Sequence, residues 1–305
     1  MSLVLLTALL QWRRRSQPAR VRAVPINKEK VLILGCSSGI GKALALQYAQ
    51  RGAHLILVAR RRDLLQQLEQ QCREAGSTMV LSHCANVTDL DQMDQLFAVV
   101  RDKFGQLDTM IYCAGAISVQ PFMDLCGIHV HHQAGAVQVT VEDRRDQVDK
   151  AVQRILDINY RAAVHATRLG LPLLLPSVQP NLMVVSSMAG KVGAPTRSLY
   201  SGSKHAVHGF FDSVRVELAN ANVHVGLVCP GTVDTDLRQA AVDLPPSSVV
   251  AGSVQGKLSP ASVAQRIMLA SDRREREVYM PSFYYWALWL SRDWLDYFAK
   301  RKYQT

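Results

Sequence analysis

The stretch "KVLILGCSSGIGKALALQYAQRGAHLILVARR", residues 30–61, decides the fold. Its first apolar run, Val31 to Leu34, is the right length for a buried strand, Lys42 to Arg51 has helical spacing, and His54 to Val58 is a second apolar run. Strand, turn, helix and strand within about 30 residues make a βαβ unit. Between the first strand and the helix, Gly35, Gly39 and Gly41 read G-x-x-x-G-x-G. Glycine is required where the backbone turns sharply and lies close to a pyrophosphate resting on the N–H groups of a helix N-terminus. Three glycines alone also fit a bare tight turn; the βαβ context favours a dinucleotide.

The second strand ends at Ala59 and is followed by Arg60, Arg61 and Arg62. A site for NAD commonly places a carboxylate there to take the ribose hydroxyls, whereas a 2′-phosphate calls for arginine. NADP(H) is therefore the expected cofactor, with Arg60 as the main phosphate contact, Arg61 in support, and Ser37 and Ser38 of the glycine turn as further donors. The competing reading makes the arginines a solvated helix start.

The alternation continues along the chain. Amphipathic stretches at residues 63–74 and 89–104 flank the apolar "MVLSHCA", and "DTMIYCAG", "NLMVVSS" and "HVGLVCPG" supply further strands. Such alternation implies an α/β fold with a doubly wound parallel sheet, the Rossmann arrangement, and a ligand at the carboxyl ends of the strands. With 305 residues, 48% of them hydrophobic and 20% charged, and no linker or repeat, one domain over residues 28–280 is expected.

The net charge of +10 is concentrated in "QWRRRSQPARVRAV" near the start and "AKRK" near the end. That placement favours a membrane surface and speaks against a nucleic-acid groove. Residues 2–10, "SLVLLTALL", are too few to span a bilayer, which takes about 20, and the arginines follow the apolar run instead of preceding it. Residues 1–27 are expected to form an interfacial anchor or an organelle-targeting segment. The tail at 281–305 holds Trp286, Trp289 and Trp294 with Phe283, Tyr284, Tyr285 and Phe298 among basic residues. It suits a helix in a membrane interface, or one packed over a cleft or against a second copy in a homodimer. The six cysteines lack CxxC spacing and are expected to be free thiols.

Tyr200 and Lys204 stand at i and i+4, on one helix face. A nearby cation favours the phenolate, so the pair could exchange a proton with a substrate oxygen. Ser187 lies thirteen residues upstream and Asn159 further back. Taken together, "GCSSGIG", "YCAG", Asn159, "SS", "YSGSK" and "PGTVDT" make residues 30–238 resemble the short-chain dehydrogenase/reductase family, and "VSSMAGKVGAPTRSLYSGSKHAVHGFF" is most like its microsomal hydroxysteroid dehydrogenase-like branch.

The resemblance implies an NADP(H)-dependent oxidoreductase that interconverts a carbonyl and an alcohol on a lipophilic substrate such as a steroid, retinoid or long-chain ketone. Within it, Ser187 would stabilise the developing alkoxide, Tyr200 would transfer the proton, Lys204 would bind the nicotinamide ribose and lower the phenol's pKa, and Asn159 would hold a relay water. The cofactor would also meet Ile40, Asn86, Val87, Ala114, Gly115, Pro230, Gly231, Val233 and Thr235. A membrane location follows, the endoplasmic reticulum first and mitochondria second. Other readings are a nucleotide-binding scaffold without turnover and a membrane-tethered regulator.

Three departures stand out: Leu34 precedes the first glycine where threonine is usual, Tyr112 and Cys113 replace two asparagines, and Asn86 replaces an adenine-binding aspartate. An insertion at about 120–146 reads as a solvated loop, with a lid as its suggested role; His129, His131 and His132 within it match no zinc spacing, and no metal is expected.

Overall fold

The computed structural model describes residues 18–133, 136–238, 241–244 and 256–290. A short helix, α1 (Ala19–Ala23), leads into β1 (Lys30–Leu34), α2 (Gly39–Gln50), β2 (His54–Ala59), α3 (Arg62–Glu74), β3 (Val80–Cys84), α4 (Leu90–Phe104) and β4 (Thr109–Tyr112). Next come α5 (Phe122–Leu125), the strands β5 (Ile128–Gln133) and β6 (Ala136–Val141), α6 (Arg145–Leu156) and α7 (Ala162–Leu174). The chain continues through β7 (Asn181–Val185), α8 (Ser198–Glu217), β8 (His224–Pro230), α9 (Pro260–Arg273), β9 (Glu277–Met280) and α10 (Phe283–Leu290). Seven strands form one parallel sheet in the order β3-β2-β1-β4-β7-β8-β9.

Alternation along each strand sends side chains to opposite faces. Leu32, Leu34, Ile56 and Val58 pack against Phe97 of α4, Ala166 of α7 and Phe211 of α8. Val31, Ile33, Leu55 and Leu57 pack against Leu44 of α2, Leu65 of α3 and Ile267 of α9. Burial on both faces is why these strands read as continuous apolar runs. The strand order reverses between β1 and β4, and the crevice at their carboxyl ends is where such a sheet binds its ligand.

Two regions differ from the expectation. Part of the N-terminal basic segment belongs to the body: Arg20 is 2% exposed and donates to Glu29 Oε1 at 2.8 Å, Thr109 Oγ1 at 2.7 Å and the Gln179 carbonyl at 3.1 Å. It ties α1 to the amino ends of β1 and β4, opposite the ligand crevice. A guanidinium with a carboxylate waiting at a strand end is an interior tether, and net charge alone does not reveal it. The insertion at 120–146 folds as α5 and an antiparallel hairpin, β5 with β6. The alternation of "VQVTV" is a strand pattern, so its backbone pairs. Residues 2–10 and the tail beyond 290 lie outside the described residues.

Candidate active site

The glycine turn packs backbone on backbone. A Cβ on Gly35, whose φ is +90°, would come within 2.5 Å of Ala114 N, one on Gly39 within 3.0 Å of Thr235 Cγ2, and one on Gly41 within 2.2 Å of the Gly35 carbonyl. Backbone excludes a side chain at Gly35 and Gly41, and a φ of +57° disfavours one at Gly39, so the backbone at the N-terminus of α2 can be approached closely, and the cradle fits a pyrophosphate. Gly41→Ala is expected to weaken nucleotide binding by about tenfold or more, because the turn must open to admit the methyl. Fluorescence titration with NADPH measures this, with circular dichroism to show that the fold is retained.

Beside the turn, Arg61 donates to Ser37 Oγ at 2.9 Å and to Ser38 Oγ at 2.8 Å; Arg60, directly after β2, is exposed, as Arg61 is. Asn86 and the buried Val87 follow β3; the Asn86 amide oxygen accepts from Thr88 N at 3.3 Å. At the far side, Gly231 N donates to the Met280 carbonyl at 2.7 Å after Pro230, and Val233 bridges to Leu258.

Between these walls lies a cleft of about 310 Å³ lined in part by Ile40, Gly115, Ser187, Tyr200 and Lys204. Tyr200 and Lys204 sit on α8, and Ser187 caps the short turn after β7 by accepting from Ala189 N at 3.1 Å. Ser187 lies near enough to the Tyr200 side chain to favour its phenolate, and both line the cleft. Lys204 Nζ donates to the Val185 carbonyl at 3.0 Å and stands 5.8 Å from the Tyr200 ring centre. Burial raises the Tyr200 phenol above its ordinary value, against the pull of Ser187 and of the Arg197 charge. Burial also brings Lys204 down to about 8. In this balance desolvation outweighs the groups that pull the phenol down.

Comparison with known proteins decides the family. Residues 29–244 match the short chain dehydrogenase family. The chain belongs to the short-chain dehydrogenase/reductases. Among its relatives, a dehydrogenase/reductase SDR family protein 7-like of Anopheles gambiae is 30% identical over 86% of this chain and 83% of its own length. An 11-beta-hydroxysteroid dehydrogenase 1A of Arabidopsis thaliana is 34% identical over 68% of this chain and 53% of its own. In structure, a short chain dehydrogenase/reductase of Burkholderia phymatum in complex with NAD superposes with a TM-score of 0.70 at 21% identity, over 88% of this chain and 95% of that one. An alcohol dehydrogenase of Thermococcus sibiricus complexed with 5-hydroxy-NADP gives 0.65 at 21% identity, over 83% and 95%. The dehydrogenase is therefore an oxidoreductase that uses a nicotinamide cofactor on a carbonyl or alcohol group.

Two of the dehydrogenase's residues brace the strand ends that frame the cleft. Asn159 is 1% exposed in a π-helical turn, Asp157–Arg161. Its Nδ2 donates to the Ala116 carbonyl at 3.0 Å and to Ser203 Oγ at 2.9 Å, and its Oδ1 accepts from Ala116 N at 2.8 Å. Both amide hydrogens are engaged within the protein, so the side chain positions the strand-end loop. Tyr112, in the place of a family asparagine, donates to the Ile158 carbonyl at 2.6 Å and so braces the same π turn.

Sequence reasoning also missed Asp243. Buried at 3% exposure, it accepts from Val119 N and Gln120 N, each at 2.8 Å, and pins the loop after β4 to the 241–244 segment. Nothing in its local pattern marks it. His208, Asp212 and Glu277 come close enough to suggest a metal. Lys191 lies 2.6 Å from Glu277 and Arg215 lies 2.6 Å from Asp212, so positive charge is already supplied. In the hairpin, His129 and His131 share one strand face and His132 takes the other, which prevents their convergence.

Proposed function

We propose that this dehydrogenase uses NADP(H) to interconvert a carbonyl and an alcohol on a lipophilic substrate at a membrane surface. The observation that carries this reading is the convergence of Ser187, Tyr200 and Lys204 on one cleft whose other walls include Ile117, Met188, Val192, Leu237 and Tyr284. When bound, the nicotinamide supplies or accepts the hydride. Tyr200 holds the proton that a substrate oxygen gains, and its raised pKa keeps it protonated as a general acid at neutral pH. Ser187 offers its hydroxyl to the same oxygen, where a fixed donor lowers the energy of developing negative charge. Lys204, held by the Val185 carbonyl, keeps a cation behind the phenol and faces the ribose position next to Gly115. Ser37, Ser38, Arg60 and Arg61 are the proposed seat of a 2′-phosphate, with Arg61 as the residue in contact with the turn.

The greasy surface of α10 supports the membrane part of the reading. Phe283, Tyr285 and Trp286 are exposed while Tyr284 lines the cleft, so a lipid-facing helix would stand at the substrate entrance. The endoplasmic reticulum is the proposed membrane, with the mitochondrial one second. No helix among the described residues is long and apolar enough to cross a bilayer, so this attachment would be interfacial over the described part.

Titration of the purified full chain with NADPH and NADH, followed by a panel of steroid, retinoid and aliphatic carbonyls, tests the proposal. NADPH is expected to bind about tenfold or more tighter than NADH, the worth of one or two charge-assisted hydrogen bonds. Replacing both Arg60 and Arg61 by alanine should erase that ratio. Equal affinities would remove the NADP(H) assignment, and tight binding without turnover on any carbonyl would make the chain a nucleotide-binding scaffold.

A further inference from the structure

Glu277 is the first residue of β9, the last strand of the sheet. Lys191 Nζ donates to its Oε1 at 2.6 Å, and the Tyr279 hydroxyl donates to its Oε2 at 2.6 Å. On α8, His208 Nδ1 lies 3.7 Å from the same Oε1, and His208 Nε2 lies 3.6 Å from Cys229 Sγ on β8. Burial pushes the carboxyl up, yet His208, Lys191 and Tyr279 together hold it well below the usual carboxylate range. Glu277 is therefore an anion through the neutral range and offers Lys191 a full charge.

Lys191 closes the turn that presents Ser187. The Ser187 carbonyl accepts from Gly190 N at 2.9 Å, and Lys191 N donates to the Met188 carbonyl at 2.9 Å. This turn, Met188–Gly190, is a single 3₁₀ turn, whose hydrogen-bond geometry is poorer than that of an α-helix. Two outside contacts fix it. A Cβ on Gly190 would come within 2.6 Å of His208 Cδ2 and 2.9 Å of the Lys204 carbonyl, so the turn rests directly on the helix that carries Tyr200. From the side, the Lys191–Glu277 pair ties the end of the turn to β9, stepping over β8, since β7 and β9 are not neighbours in the sheet. β9 in turn ends at Met280, whose carbonyl holds Gly231 in the facing wall of the cleft. One carboxylate thus joins the Ser187 turn to the strand behind the opposite wall.

We propose that Glu277 is a positioning residue for the carbonyl chemistry: through Lys191 it fixes the turn that holds the Ser187 hydroxyl against the substrate oxygen. The inference deepens the carbonyl–alcohol reading given above and rests on it. A donor that stabilises developing charge must already stand in place when the charge appears, and a short turn needs an external anchor to achieve that. The side chains of Lys191 and Glu277 are 21% and 18% exposed, so water screens this anchor less than it screens a surface ion pair.

Rates are measured on the full chain, saturated with NADPH and given a reducible ketone, for the wild type, Glu277→Gln, Lys191→Met and Lys191→Arg, each with and without Ser187→Ala. Glu277→Gln and Lys191→Met are expected to lower kcat by about tenfold to 100-fold, with the ketone KM and the NADPH dissociation constant unchanged, because a displaced donor fails only the developing charge. Lys191→Arg should keep most of the rate. Ser187→Ala alone should cost about 100-fold or more, and adding either tether variant should cost nothing further, since the hydroxyl through which the tether acts is already gone. A role in stability alone would give losses that multiply, and multiplying losses overturn the proposal. So does a Lys191→Met variant that keeps half of the wild-type kcat, or a defect that falls on KM or on NADPH. Hydrogen–deuterium exchange of the 187–192 amides reads the tether without turnover: Glu277→Gln should speed it about tenfold or more while the glycine turn at 35–41 is unchanged, and unaltered exchange at 187–192 overturns the proposal. If the wild type reduces no ketone, the reductase reading falls and exchange alone decides the tether. If Glu277→Gln fails to fold, Lys191→Met and Lys191→Arg decide by the same measurements.

Discussion

Tyr200→Phe is expected to lower kcat for carbonyl reduction by about 100-fold or more, the usual loss when a positioned general acid is removed. The ring stays, so its packing with Ile117 and Ala189 is retained, and NADPH affinity should be unchanged because the phenol oxygen makes no contact with the glycine turn. Steady-state rates with NADPH and a reducible ketone, paired with a cofactor titration, measure both halves. A variant keeping half of the wild-type rate would show that the proton comes from elsewhere. A variant that loses cofactor binding as well would show that the phenol supports the cleft instead of the chemistry.

The second large effect lies at the opposite end of the sheet. Arg20→Ala is expected to destabilise the fold by about 3–5 kcal/mol, because it leaves the Glu29 carboxylate buried without its closest cation. Glu29 is 0% exposed, Arg20 Nη2 lies 2.8 Å from its Oε1, and the nearest alternative, Arg51, is 4.0 Å from its other oxygen. Equilibrium unfolding in urea measures the loss, and the Arg20→Ala/Glu29→Gln double variant should recover part of it, since the stranded charge is then gone. A loss below about 1 kcal/mol for Arg20→Ala, the worth of a surface ion pair, would mean that Arg20 does not hold the N-terminal segment to the body.

The contrast between these two residues shows what a sequence can disclose. Tyr200 was legible because its chemistry depends on a local spacing, i to i+4 on a helix, and on motifs that recur in a fixed order. The strands were legible for a similar reason: Val31 to Leu34 and His54 to Ala59 are buried on both faces, so their apolar runs carry the signal unaided. Arg20 was not legible, since its partners Glu29, Thr109 and Gln179 are up to 159 positions away and meet it only after the sheet has assembled. Asp243, with acceptor contacts to Val119 and Gln120, was hidden in the same way.

The β5–β6 hairpin was missed for a different reason. Val137, Val139 and Val141 alternate as a strand should, but they are exposed, and exposure removes the burial argument by which apolar alternation is usually interpreted. Asn159 was legible as a residue, and its contacts were not. Its position follows from the motif order, whereas the occupation of its amide by Ala116 and Ser203 is a property of the folded loop.

A single-turnover experiment tests the central claim most directly. Wild-type protein and the Tyr200→Phe variant, each saturated with NADPH, are mixed with an excess of lipophilic ketone, and the absorbance of the reduced nicotinamide is followed. With one equivalent of NADPH per site, the account predicts complete loss of that absorbance and one equivalent of alcohol in the wild type, and the same decay about 100-fold or more slower in the variant. Stable absorbance in the wild type across steroid, retinoid and long-chain ketones, despite saturation with NADPH, would contradict it.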